Sequence, residues 1–421
     1  MEFKNKLQFG LYRILLVLML AFLLQLRLPA LLFCMAFVLL LCPVWIKSRM
    51  EANRQEHRLE EAALYMEQLL YAFLANPKIL SALEELEKLF DAGEMKTVIG
   101  QAVDSIRHDY DSDTTEALQL IEQAYPNDRI KSIHAYLRNV EQHGGEYEMT
   151  IELLLEDLRK WLERIRIYQE DCRKYKRNVW VAAALSFLVC AITNVLLPSE
   201  LAISQHVVCQ GASVLFICTD IWLCRRAERR TSRNWLEAGA YQGTDNREQQ
   251  YEYVKKHKNM KAFFYRKELR KNIERVFPQW LMELSLLLQT ENVQVAFYKT
   301  REHAPAVLKP AITELLEELQ RNPESMQPYL DFLKEYHLRD VTATMRMLYA
   351  LSNSGYGNGE KQLAQIMMRN QELLDKTERA VNEDALAGLY ALFLAPALTG
   401  AGKMMVDMTM FLVAFLAQTK I

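Results

Sequence analysis

The sequence predicts an all-α, polytopic membrane protein with two duplicated cytoplasmic helical-bundle lobes. Three observations predict it. Apolar stretches approach the length that crosses hydrocarbon, and the charged segments between them repeat leucines at helical spacing. The 421 residues also contain only 14 Gly and 11 Pro, too few for a turn-rich β architecture.

Residues 9–26 are apolar except for Arg13 and Gln25, and residues 29–46 follow after a turn at Arg27, Leu28 and Pro29. Each stretch nears the roughly 20 residues a spanning helix needs, so residues 1–50 read as a transmembrane hairpin. A cleaved signal peptide would be followed by a small-residue cleavage site, not by a second apolar run. Residues 178–224 form a second hairpin, with apolar stretches 179–197 and 207–223 around the polar loop 198–206. In the terminal segment, 384–421, Pro396, Gly400, Gly402, Lys403 and Asp407 divide the apolar block 385–417. One bent span and a short hairpin are both compatible with that block, giving five or six spans.

The flanking charges set the orientation. Lys47, Arg49, Arg54 and Arg58 follow the first hairpin; Arg173, Lys174, Lys176 and Arg177 precede the second; Arg225, Arg226, Arg229, Arg230 and Arg233 follow it. The connecting loops hold only Arg27. The positive-inside bias therefore puts the N-terminus and both lobes in the cytoplasm.

The lobes, residues 51–177 and 225–383, are amphipathic. Ile130, Ile133, Leu137 and Val140 recur at three- and four-residue steps, as do Ile151, Leu154, Leu155, Leu158, Leu162 and Ile165. In the second lobe Leu281, Leu284, Leu287 and Leu288 do the same, as do Ile312, Leu315, Leu316 and Leu319. Sliding the chain on itself by about 214 residues superposes the lobes. Leu70, Phe73 and Leu74 fall on Leu284, Leu287 and Leu288, and Gly145 with Glu146 on Gly359 with Glu360. With one inserted residue, Glu163 and Arg164 fall on Glu378 and Arg379. Chance alignment of leucine-rich helices is the alternative to duplication.

The chemistry of catalysis finds no constellation in the sequence. A formal charge of -2 supplies no global basic field, so nucleic acid is not an expected partner. Five of the seven cysteines, Cys34, Cys42, Cys190, Cys209 and Cys218, lie in apolar stretches, and no zinc or disulfide spacing follows. Near Gly400, Gly402 and Lys403 a phosphate loop would need a glycine where Ala397 stands and Ser or Thr where Met404 stands. Gly355, Gly357 and Gly359 follow no strand and read as a turn between helices. Asp109, Asp111 and Asp113 begin like a calcium loop, but Thr114 replaces its turn glycine and Leu120 its bidentate glutamate; a loop with Asp113 capping the next helix accounts for them. The eight histidines form no HExxH pair. No catalytic residue, cofactor or metal site is expected.

Three ionisable residues lie in membrane segments, where charge is costly and functional by default: Asp220, Lys403 and Asp407. Asp220 is near the cytoplasmic edge, about a turn from Arg225, which offers it a partner. Lys403 and Asp407 are one turn apart, which fits mutual pairing or a packing contact with another subunit. The basic clusters 225–233 and 255–271 read as anchors on anionic lipid or as docking surfaces for an acidic partner.

One set of residues carries a family resemblance. A helix opens at Phe277-Pro278-Gln279-Trp280-Leu281, a turn stands at His143-Gly144-Gly145, and the helix after that turn contains Leu155-Glu156-Asp157-Leu158-Arg159-Lys160-Trp161-Leu162-Glu163-Arg164. Together with the order hairpin, lobe, hairpin, lobe, terminal segment, this resembles the type II secretion system F family, including tight-adherence and type IV pilus platform proteins. The first lobe departs from the pattern, with Ala75-Asn76-Pro77 where the family has a glycine after its first helix.

The resemblance implies a non-enzymatic inner-membrane platform of a bacterial secretion or pilus-like apparatus. Its lobes would contact an assembly ATPase, its membrane part would receive pilin-like subunits, and it would act as a homo- or hetero-oligomer without a cofactor. Residues 151–177 are the expected coupling helix, with Trp161 anchored in the lobe and Glu152, Glu156, Lys160, Glu163 and Arg166 facing a partner. The helix is expected to run on through Tyr175 and Val181 into the third span, and residues 362–380 are its counterpart. A membrane transporter or channel is the alternative, and a membrane-anchored signalling scaffold a third reading.

Overall fold

The computed structural model describes residues 15, 18–108, 114–144, 147–198, 203–231, 246–257, 259–289, 291–353 and 359–419. Most of residues 9–17, Asp109, Asp111 and Asp113, Gly145 with Glu146, residues 199–202, Arg233, and Gly355 with Gly357 lie outside them. Among the described residues the regular elements are all helical and none is a strand. In chain order they are α1 (Leu28–Ala75), α2 (Ile79–Leu89), α3 (Glu94–His108), α4 (Thr114–Ala124), α5 (Asp128–His143), α6 (Glu148–Leu196) and α7 (Val207–Thr231). There follow α8 (Asn246–Lys256), α9 (Met260–Leu287), α10 (Val293–Arg301), α11 (Lys309–Arg321), α12 (Gln327–Asp331), α13 (Arg339–Asn353) and α14 (Gly359–Thr419).

The chain divides into two compact units. One comprises Met1–Glu56, Arg164–Arg233 and Asn382–Ile421; the other comprises His57–Glu163 and Asn234–Val381. Helices α1, α6 and α14 each carry residues of both units without a break. Packing therefore divides the chain inside helices, whereas hydropathy, which senses where lipid would begin, suggests junctions near residues 50, 177 and 383.

In the first unit four helices are long and apolar enough to cross a membrane, within Leu28–Ala75, Glu148–Leu196, Val207–Arg229 and Leu392–Gln418. Their outer surfaces leave large apolar side chains bare, Leu40 at 73% and Val195 at 78% exposure among them, as expected where lipid supplies the cover. Inside, Leu24, Cys34, Val38, Trp45, Phe187, Phe216 and Ile217 form a core. Gln25 takes the left-handed conformation (φ 50°) in the turn before α1. Gln210 accepts from the Arg27 amide (2.9 Å) and donates to the carbonyls of Gln25 (3.1 Å) and Ser204 (2.6 Å), which puts the two hairpin loops on one side of this unit. The terminal block forms one helix, α14, with Pro396 inside it, so the short hairpin does not form. Hydrocarbon offers backbone groups no partner, and that favours keeping even Gly400 and Gly402 in the helical hydrogen-bond ladder.

In the second unit, α1 from His57 onward through the start of α6 buries Tyr65, Met66, Leu70, Phe73, Leu83, Ile99, Ile121 and Ile130. The segment α9 to α14 packs Phe277, Trp280, Leu281, Leu284, Phe297, Ile312, Leu315 and Met345 into one core. Trp280 stacks on both Phe297 and Phe332, with ring centroids 6.0 Å apart in each case. Local sequence sets the helix ends. Asn127, Asn259 and Asn292 cap α5, α9 and α10 by accepting from the amides of Arg129, Ala262 and Val295. Gly144 closes α5 at φ 71°, a conformation that favours glycine.

Candidate functional site

The membrane unit holds a polar row where α6 meets α14. Ser186, Cys190 and Asn194 recur every four residues on α6 and so share one face. Opposite stand Pro396, Gly400, Lys403 and Asp407 of α14. Ser186 Oγ donates to the Pro396 carbonyl (2.8 Å), and Cys190 Sγ lies 3.6 Å from the Gly400 carbonyl. A Cβ on Gly400 would collide with Ser186 Oγ, so the absent side chain is what lets the helices approach. Lys403 pairs with Asp407, both side chains 2% exposed, and its Nζ also donates to Asn194 Oδ1 (3.2 Å).

Asp220 of α7 is buried beside this row and accepts from Thr399 Oγ1 at 2.7 Å. The Asp220 carboxylate is therefore met by α14 and not by Arg225, because the residue faces the interior of the unit rather than its charged edge. Lys403 and Asp407 take the mutual pairing, buried within the unit itself. The sequence alone does not single out Asn194, since a neutral amide in an apolar run has no charge to flag it. Its spacing from Ser186 and Cys190 was the available signal. The buried atoms Asp220 Oδ2, Asp407 Oδ1 and Asn194 Nδ2 have no hydrogen-bond partner among the described residues.

On α6, Glu152, Glu156 and Glu163 of the lobe unit and Arg166, just inside the membrane unit, are exposed, whereas Lys160 is half-buried. Its ammonium pairs with Glu156 (2.7 Å) and donates to Gln371 of α14 (3.2 Å), and Gln371 donates to the Leu153 carbonyl (3.3 Å). Lys160 thus joins the two lobes and is not a free group on the partner face. Trp161 is buried as expected, under the Arg129 guanidinium, 5.2 Å from its ring centroid. Arg129 also pairs with buried Asp157 and reaches Glu378 (3.8 Å). The readable sign of Asp157 was an acid on the apolar stripe of Leu154, Leu158 and Trp161.

A cavity of about 1110 Å³ opens between the lobes, lined by Glu122, Asp128, His134, Gln279, Glu283 and Lys299 among others. Gln279 donates to Asp128 Oδ2 (2.8 Å). Burial, then the charge of Asp128, raises the Glu283 carboxyl to about 7, and burial raises Asp128 as well. Between them these two carboxyls retain a proton more readily than ordinary acids do. His134 Nδ1 lies 2.9 Å from Glu122 Oε1 and its Nε2 lies 2.8 Å from the Tyr65 hydroxyl. A carboxylate only accepts, so Nδ1 carries the proton and Nε2 accepts from Tyr65. Burial lowers His134, holding it neutral and structural. Among the described residues no three His, Cys, Asp or Glu side chains gather as metal ligands.

No protein-family model matches the chain, and neither a curated protein nor a solved structure matches it.

Proposed function

We propose that this chain is a non-enzymatic platform in the inner membrane of a bacterial type II secretion or type IV pilus-like apparatus, coupling a cytoplasmic assembly ATPase to pilin-like subunits. The observation that carries the proposal is the register between α6 and α14. In the lobe unit Lys160 meets Gln371, 211 residues on. In the membrane unit Ser186 meets Pro396 and Cys190 meets Gly400, each 210 residues on, and Asn194 meets Lys403 at 209. The helix starts Ile79, Glu94, Thr114, Asp128 and Glu148 are followed, at nearly that spacing, by Val293, Lys309, Gln327, Arg339 and Gly359. Residues that face their own equivalents are what a two-fold contact produces near its axis. The constant spacing therefore supports a duplicated chain whose two lobe-plus-span elements pair along α6 and α14.

Two such elements, each lobe continuous with its span, fit the order of parts in the type II secretion F family. In this reading the N-terminus and both lobes are cytoplasmic, and the ATPase docks on the exposed α6 face at Glu152, Glu156 and Glu163. The membrane unit receives the pilin-like subunits, and the partner's ATP supplies the work. Glu152→Lys combined with Glu163→Lys should leave the protein folded and inserted, weaken capture of the cognate ATPase at least about tenfold by loss of charge complementarity, and abolish assembly or secretion. Unchanged capture with a working apparatus would sink the coupling surface. The buried Asp220, Lys403 and Asp407 favour a transporter as the second reading; it requires proteoliposome ion flux that Asp220→Asn removes.

A further inference from the structure

Helix α9 carries two apolar stripes where its own packing needs one. Ala262, Leu269, Ile273 and Val276 are buried and build the lobe core. On the opposite side Met260, Phe263 and Phe264 are 72%, 62% and 62% exposed. With Lys267 and Lys271 they follow three- and four-residue steps, so all five share one outward face. Phe263 and Phe264 pack edge to face on each other, centroids 6.0 Å apart.

Charge surrounds this apolar tip. Residues 255–271 contain eight Lys or Arg against one acid, Glu268. Lys261, Lys267, Arg270 and Lys271 are exposed; Lys261 leans on the rings of Tyr253 and Tyr265, and Arg270 pairs with Glu274 (3.3 Å). We propose that this face is a lipid-binding surface that lies on an anionic leaflet, with Met260, Phe263 and Phe264 in the acyl boundary and the lysines on lipid phosphates.

Three features select a bilayer over an acidic protein. An aromatic tip framed by lysines on a helical face matches the interfacial region, apolar on one side and anionic on the other. Each Lys or Arg at an anionic surface favours association by a factor of about five, and this cluster supplies several. The chain also reaches Met260 from α7, whose candidate span is Val207–Arg229, and such a covalent tether raises the effective concentration of the patch at the membrane. The inference depends on membrane insertion alone and not on the platform reading.

The test places p-benzoyl-phenylalanine at Phe264 of the full-length protein, in nanodiscs of phosphatidylglycerol or phosphatidylcholine. Irradiation should attach lipid to the peptide containing residue 264 in phosphatidylglycerol. The yield should fall at least about fivefold in phosphatidylcholine, and again in the Lys261→Gln, Lys267→Gln, Lys271→Gln triple variant. Absence of lipid adducts in phosphatidylglycerol overturns the proposal, as do equal yields in the two lipids or with the triple variant. Crosslinking of residue 264 in cells to a protein instead of lipid would hand the surface to an acidic partner.

Discussion

Replacing Lys403 alone should destabilise this protein more than replacing Lys403 and Asp407 together. Both side chains are 2% exposed, and Lys403 Nζ is held by Asp407 and by Asn194 Oδ1 at 3.2 Å. Lys403→Met removes both interactions and strands a carboxylate whose other oxygen already has no partner among the described residues. Breaking one side of a buried pair costs about 3–5 kcal/mol. Asp407→Leu leaves the ammonium with Asn194 alone, and the loss should be of the same order. In Lys403→Met/Asp407→Leu no charge remains to be desolvated, and such replacements are commonly neutral or stabilising by about 1–4 kcal/mol. What stays lost is the Asn194 bond, about 0.6 kcal/mol for a typical hydrogen bond between membrane helices. The double variant should therefore lie between about 0.6 kcal/mol below the parent and about 3 kcal/mol above it, with a coupling energy of several kcal/mol. Unfolding of the full-length protein in mixed micelles, followed by circular dichroism across a denaturing-detergent titration, measures all four corners of the cycle. Additive losses, or a double variant no better than the worse single one, would refute the pair as a buried electrostatic contact.

Two further outcomes follow from the geometry. Gly400→Ala should cost on the order of 1–3 kcal/mol by overpacking against Ser186, while Gly402→Ala, with nothing within 4 Å of its new Cβ, should be neutral or stabilising by up to about 1 kcal/mol; equal effects in the same titration would mean that the helices do not meet at Gly400. Glu283 rises from an ordinary 4.5 to about 7, so between those values the folded state holds a proton that the unfolded chain has released. Stability should accordingly fall as pH rises from about 4.5 to about 7 and level off above. Glu283→Gln should flatten that slope in thermal unfolding scans, and an unaltered slope would assign it to another carboxyl.

Much of the architecture was legible because its causes are local. Apolar length set the described spans and leucine period the lobe helices, except that the helix expected to open at Phe277 begins at Met260 and carries Pro278 inside it, and Gly144 marked the turn between α5 and α6 as a left-handed glycine should. The terminal block was ambiguous because Pro396 and two glycines weaken a helix in water, whereas hydrocarbon penalises any broken ladder. The partners of Asp220 and Lys160 were not legible, since each is met by a residue far along the chain, Thr399 and Gln371. Local reasoning offered Asp220 the nearest arginine and offered Lys160 to solvent. Asn194 and Asp157 escape a local reading for the reverse reason: each sits inside an apolar pattern, and it is the exception to a pattern that marks a buried polar contact.

The same pair of helices is tied together in both units. In the lobe unit Gln371 joins α14 to Lys160 and to the Leu153 carbonyl of α6; in the membrane unit Ser186 and Asn194 join α6 to Pro396 and Lys403 of α14. Neither helix is interrupted between those contacts. A partner that displaced α6 alone would meet two kinds of tie, the half-buried Lys160 to Gln371 contact in the lobe unit and the buried Ser186 to Pro396 and Asn194 to Lys403 contacts in the membrane unit. A load on one helix is therefore shared with the other unless the lobe contact yields first. For the proposed platform this ranks the two ties: the membrane row fixes α6 to α14, and the lobe contact is the place where an ATPase could shift one against the other.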